Sequence, residues 1–271
     1  MRLAISHTTR YTFSEPVVHA LQRLRLTPKA TQGQTVLDWK MTLENARAEL
    51  EYEDQHHNTV TLVSVEPGAT GVVVTCSGTV DTEDNAGVIG RHSGHLPLWS
   101  FLSQTDLTRP GPRMRALLRG IESAEDRRLE FLHALSTRVL EDVAYRTGST
   151  AVDTTAEEAT EAGVGVCQDH AHIFIGIARL AGIPARYVSG YLMMNDRIEQ
   201  EATHAWAEAH VDGLGWVGFD ISNGISPDPR YVRVATGRDY RDAAPITGIS
   251  FGSTSEALHV IVAVEQQRVE Q

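Results

Sequence analysis

Residues 163–184 read GVGVCQDHAHIFIGIARLAGIP. A glycine-flanked loop runs here into a helix that is apolar nearly all round, through Ile173, Phe174, Ile175, Ile177, Ala178 and Leu180. Gly182, Ile183 and Pro184 stand where a helix stops. A helix without a polar face is buried, so its N-terminal tip, bearing Cys167, is the part expected to reach a cleft. Unpaired N–H groups and the macrodipole at such a tip favour an anion and lower the pKa of a thiol. Cys167 therefore reads as a nucleophile, with its own N–H available to a developing oxyanion and Gly163 and Gly165 letting backbone approach a substrate closely. Two other readings stand beside this one. A buried inert thiol is common for a free cysteine, and Cys167, His170 and His172 offer metal-ligand atoms. His172 points away from His170 around the helix axis, however, and no second Cys or i,i+4 His pair completes a set. Neither a metal nor another cofactor is expected.

A thiol nucleophile needs a base and a group that orients the base. Residues 203–220, THAWAEAHVDGLGWVGFD, read as a β-hairpin with strand, Gly-rich turn and strand. If Val211 pairs with Gly215 across a three-residue loop, His204 faces Ser222 and Asp220 lies two residues away on the same face. A two-residue loop would put Asp220 on the other face. Asp169 and His170 are local rivals for the two roles, but on the same helix as Cys167 they are poorly placed to approach its sulfur. Trp206 shares the face of His204, as core packing or as a wall of the acyl groove, and His210 is in phase as a surface or core histidine.

The first ~100 residues are short alternating runs with turn punctuation, which predicts an antiparallel β-sandwich. In residues 36–43, Leu37, Trp39, Met41 and Leu43 oppose Val36, Asp38, Lys40 and Thr42. Cys76, inside the β-branched run VVVTCSGTV, needs no role beyond packing. The character changes near 96–112, where LPLW gives way to TRPGPR, so the division is placed with a β-domain at 1–105 and an α+β domain at 106–271. Helical spacing follows in RMRALLRGI and again in the run containing Leu129, Leu132, Leu135, Val139 and Val143, with Ser123 and Asp126 as a capping arrangement. Residues 146–165 read as a turn-rich connector and 222–254 as a Gly/Pro/Asp-rich segment, with a closing strand, ALHVIVAVE, assigned to the second domain.

Composition sets the outer limits. With 41% hydrophobic and 22% charged residues the chain is that of an ordinary soluble globular protein, and a formal charge of −11 gives nucleic acid no basic face. No stretch has the apolar length of a membrane span and no apolar region suggests a secretory signal. Two cysteines make no disulfide framework, so a cytoplasmic, reducing setting is the expectation.

The motifs GVCQDHAH, THAWAEAHVDGLGWVGFD and GRDY resemble those of the transglutaminase-like superfamily, in its bacterial two-domain form with an N-terminal β-domain. The resemblance is dense over 144–240 and looser before it, where RYTFSEPVVHALQRLRLTP is similar to the family's N-terminal region. It implies a papain/transglutaminase-like α+β core in which a buried helix, Cys at its N-terminus, packs on an antiparallel sheet and works by acyl transfer through a thioester. Carried over residue by residue, the nucleophile falls on Cys167, the base on His204 and the orienting acid on Asp220. The chain departs from the family at FDISNG, where relatives read FDPTNG, which puts the turn after Asp220 in question. Gly165, Val166, Gln168, His170, Trp206 and Tyr145 are the expected substrate-side residues, with Tyr145 the candidate second oxyanion donor. Arg186 and Tyr191 are expected to stabilise the strand after the helix, and GRDY to brace the hairpin.

The expected function is a cysteine-dependent amide acyl-transfer enzyme of peptidase or amidase type acting on a peptide or protein. Hydrolysis is preferred because no acidic cluster resembles the calcium sites of animal transglutaminases. The alternatives are glutamine–amine cross-linking or deamidation, and a non-catalytic binding module on the same fold.

Overall fold

A computed structural model describes the chain apart from residues 123–126, 201, 252–255 and 268–271. The Ser123–Asp126 capping arrangement lies outside the described residues. The order begins β1 (Arg2–Phe13), β2 (His19–Leu24), β3 (Gln34–Glu44), β4 (Ala46–Glu53), β5 (Thr59–Val65), β6 (Gly71–Thr82) and β7 (Val88–Gly90). It continues with α1 (Pro112–Leu117), α2 (Arg128–Asp142), β8 (Ala144–Tyr145), α3 (Ala156–Ala162), β9 (Val164–Gly165), α4 (Cys167–Leu180), β10 (Ala185–Leu192) and β11 (Glu199–Gln200). β12 (His204–Val211), β13 (Gly215–Phe219), β14 (Tyr231–Gly237), α5 (Tyr240–Ala243), β15 (Ile246–Phe251) and β16 (Glu256–Gln266) complete it.

The sandwich pairs a sheet ordered β11-β16-β1-β6-β3 with one ordered β15-β2-β5-β4. Alternation puts one face of each strand inside: Tyr11, Phe13, Val72, Val74 and Cys76 meet Leu24, Val63 and Val65. Burial raises the Cys76 pKa to about 12, which makes it an inert packing thiol. In β3 the alternation breaks where the register against β6 shifts between Val36 and Asp38. Leu37 is therefore left exposed while Trp39, Met41 and Leu43 turn inward.

The α+β core has a sheet ordered β14-β10-β12-β13-β7, with α4 packed on one face. Ala205, Ala207, Ala209, Val211, Val217 and Phe219 face the helix, whose residues from Asp169 to Arg179 are all buried. Small side chains along β12 let the helix sit close to the sheet. Arg179 near the C-terminal end of α4 donates to Phe101 O, Ala185 O and Arg238 O, at 3.0, 2.9 and 2.6 Å. A cation there also complements the helix dipole.

Strand pairing crosses the expected division at 105/106 in both directions. β15 pairs with β2 and β16 with β1, so the last two strands complete the N-terminal sandwich instead of extending the α+β half. β7, from the N-terminal half, is the edge strand of the core sheet beside β13. Leu3 and Ile5 with Val80, Val262 and Val264 pack on Tyr191, Val232 and Val234, joining sandwich to core through a shared apolar layer. Two segments read as irregular hold elements. The 146–165 connector contains α3, closed by a Thr155–Glu158 capping box, and 222–254 contains β14, α5 and β15.

Candidate active site

The loop before α4 is fixed at both ends. β9 pairs in parallel with β8, setting Gly165 beside Tyr145. The Val166 N–H donates to Asp169 Oδ2 at 2.8 Å, and Thr150 donates to the same oxygen at 2.7 Å. Asp169 is thus a capping carboxylate for the helix start. A side chain at 165 would meet Asp169 Cβ at 2.8 Å, which is why glycine stands there. Cys167 follows as the first helical residue, where the N–H has no intrahelical acceptor.

In the hairpin Val211 pairs with Gly215, leaving the three-residue loop 212–214, with Gly213 and Gly215 at positive φ to make the turn. That parity puts His204, Trp206 and Asp220 on one face. His204 Nε2 and Asp220 Oδ2 are 2.6 Å apart, and hydrogen bonding with Cys167 also acts on the His204 ring. With Nε2 engaged, Nδ1 is the nitrogen free to serve the sulfur. Burial opposes a charge on His204, but Asp220 and then Cys167 outweigh it and raise its pKa to about 10.

Asp220 is fully buried and stays ionised because donors surround it: burial would raise its pKa, and His204, Asn223 and Tyr231 hold it below the usual carboxylate range. Asn223 Nδ2 and the Tyr231 hydroxyl donate to Oδ2 at 2.6 and 2.7 Å. The departure at FDISNG leaves the turn intact, since Asp220 and Ile225 exchange backbone hydrogen bonds of 2.8 and 3.2 Å.

These groups open on a cleft of about 1040 Å³. Val166, Cys167, Gln168 and Tyr145 line it from the helix side, Thr203 and His204 from the hairpin, and Tyr187, Leu192 and Tyr240 from beyond. The opposite wall is His259, Val260 and Ile261 of β16, a strand of the sandwich. Tyr145 is half exposed, and burial with the charges of Cys167 and Asp220 raises its pKa, keeping the hydroxyl a donor.

Three expected substrate-side residues do not line the cleft. Gly165 is buried under Asp169. His170 is fully buried: its Nε2–H donates to Val143 O and its Nδ1 accepts from Ser222 Oγ, both at 2.9 Å. Trp206 is 1% exposed and lies under the base, its ring stacked on His204 with centroids 6.2 Å apart. Asp169, the rival acid, bonds the helix start and Thr150, not His204. GRDY braces α4 instead of the hairpin: Arg238 O receives Arg179, and the Tyr240 N–H donates to His172 Nε2 at 3.0 Å. Arg186 pairs with buried Glu208 at 2.7 Å and stacks 4.0 Å over Trp216, and the Tyr191 hydroxyl meets His7 Nδ1 at 2.8 Å. His210 packs edge-on against Trp216.

Sequence reasoning missed Asn223, Tyr231 and the β16 wall. Asn223 had a local signal, three residues beyond the acid in a turn. Tyr231 and β16 reach the site by long-range pairing, which leaves no periodicity to read.

Comparison with known proteins agrees with this architecture. The model of the Transglutaminase-like superfamily matches residues 115–221, and that of the Bacterial transglutaminase-like N-terminal region matches 3–81. An uncharacterized protein of Mycobacterium leprae is 30% identical over 278 residues, covering 97% of this chain and 98% of the relative. One from Mycobacterium tuberculosis is 29% identical over 282 residues, covering 95% and 90%. A crystal structure described as "a Putative Cysteine Protease from Cytophaga hutchinsonii" has the same fold, with a TM-score of 0.77 at 24% identity over 100% of this chain and 92% of the other. The chain belongs to the transglutaminase-like superfamily, with that family's bacterial N-terminal region before the core.

Proposed function

We propose that this protein is a cysteine-dependent amidohydrolase or peptidase in which Cys167, His204 and Asp220 act as a triad on a peptide or protein substrate. The observation that carries the reading is His204 between the Cys167 thiol and a buried, ionised Asp220. His204 Nδ1 already holds the proton given up by the Cys167 thiol, and Sγ attacks the amide carbon beside that imidazolium. The Cys167 N–H, and Tyr145 from across the helix tip, stabilise the oxyanion. His204 then protonates the leaving amine, the C–N bond breaks, and a thioester remains. Water attacks the thioester carbon, giving its proton to His204, and the sulfur leaves as a thiolate beside the imidazolium as the acid product departs. Asp220 holds the tautomer and the imidazolium throughout. The open cleft gives water direct access to the thioester, and the two free cysteines suit a reducing, cytoplasmic setting.

The test is a peptide-library digest analysed by mass spectrometry in 18O-labelled water, with and without added primary amine. Cleaved products carrying one 18O, formed by the wild type and not by Cys167→Ala, are the expected result. Amine adducts in their place would move the assignment to transfer.

A further inference from the structure

We infer that Tyr231 is a positioning residue of the proposed acyl-transfer centre, fixing through one hydroxyl the orientation in which the Asp220 carboxylate meets His204. The inference rests on the triad reading and adds a group that touches neither the sulfur nor the cleft. Tyr231 is 5% exposed and its hydroxyl lies 2.7 Å from Asp220 Oδ2, the same oxygen that receives His204. A buried carboxylate needs fixed donors because water cannot reorganise around it. Asn223 supplies one from an exposed turn, where solvent competes, and Tyr231 supplies the one from the protein interior. The same ring also acts on the base. It packs edge-on against Trp206 at 5.4 Å and 84°, and Trp206 stacks under His204 at 28°. Acid and base thus share one rigid aromatic support.

That support is set by the N-terminal sandwich. Thr82 Oγ1 donates to Pro229 O at 2.5 Å, and Gln34 binds the Arg233 backbone as acceptor and donor, both at 2.8 Å. The start of β14 is pinned on both sides of Tyr231, so the sandwich takes part in triad geometry as well as walling the cleft.

The charged and titratable groups facing Asp220 are His204 on β12, His170 on α4, Tyr145 on β8, and Arg230 and Tyr231 at β14, with Cys167 reaching it through His204. His204 and Tyr231 among them donate to it directly. Burial and the Asp220 charge raise the Tyr231 pKa, so its phenol remains a donor at every pH of interest.

The experiment measures iodoacetamide alkylation of Cys167 by mass spectrometry from pH 4.5 to 9. Tyr231→Phe removes the donor and keeps the ring. Without that donor the Asp220 carboxylate can turn away from His204, the imidazolium gives the Cys167 thiolate less support, and the acid limb moves up by about half a pH unit or more, a roughly threefold loss of rate at pH 5. At pH 9 the rates agree within about twofold, as they do when only charge placement has changed. Melting curves check the fold. Site-specific 2,3-difluorotyrosine at 231, nearly isosteric and a stronger donor, moves the limb the other way and serves if the Phe variant does not fold. Limbs that coincide with wild type, over a reactive Cys167, overturn the role of Tyr231. A Cys167 no more reactive than Cys76 at any pH overturns the triad reading instead.

Discussion

Asp220 Oδ2 lies 2.6 Å from His204 Nε2 because Val211 pairs with Gly215 and gives both side chains one parity along the hairpin. Asp220→Asn keeps the shape of this contact but replaces the charged acceptor that takes Tyr231, Asn223 and His204 at one oxygen with a neutral amide that has one oxygen and one NH2 donor. The amide then either loses the His204 bond or imposes the wrong tautomer. Turnover is expected to fall by about 10²–10⁴-fold with the circular dichroism spectrum unchanged. A fall of less than about threefold would separate Asp220 from the chemistry.

The same pair makes stability depend on pH. His204 has its pKa raised from 6.5 to about 10, so its contribution is complete below 6.5 and disappears as pH rises through about 10. Asp220, depressed, contributes above its unfolded value and loses that as pH falls. Chemical denaturation between pH 6 and 10.5 should show wild type losing stability relative to His204→Ala on the alkaline side. Parallel curves would contradict the coupling.

Beneath the base lies a second buried charge cluster. Glu208, fully buried, meets Arg186 at 2.7 Å and Arg233 at 2.6 Å. Glu208→Ala leaves two guanidinium groups without their counter-charge, and a loss of about 3–5 kcal/mol is expected by urea denaturation. A change under about 1 kcal/mol would mean that the arginines find other partners.

At the helix tip, Gly165→Ala puts a methyl group 2.8 Å from Asp169 Cβ and 3.0 Å from Oδ2. The capping contact to Val166 must shift, at a cost of about 1–3 kcal/mol, and Cys167 moves with it. Melting and alkylation rate should fall together. A drop in one alone would show that the loop and the thiol are independent.

What the sequence made legible follows the range of the interactions. The α4 reading needed only an apolar circumference and a stop at 182–184, both local. The hairpin parity needed one loop length, also local. Hairpin parity puts Trp206 on the His204 face, but whether that face is wet depends on what covers it, and nothing near 206 records that. The pairing of β16 with β1 joins opposite ends of the chain. A strand that could extend either domain carries the same alternation in both cases, so ALHVIVAVE reads as a strand whichever sheet it completes. α3 is different, since its TAEE start is a capping box visible in the sequence. There the density of turn residues outweighed a local signal that was present.

Competitive alkylation asks whether His204 activates Cys167, and it needs no known substrate. Wild type and His204→Ala are treated with limiting iodoacetamide at pH 6.5, and labelling at Cys167 and Cys76 is quantified by peptide mass spectrometry. Cys167 should label at least about 100-fold faster than buried Cys76 in the wild type, and lose most of that advantage without the imidazole. Equal and slow labelling of both cysteines, or a Cys167 rate unchanged in His204→Ala, would mean that His204 does not activate Cys167.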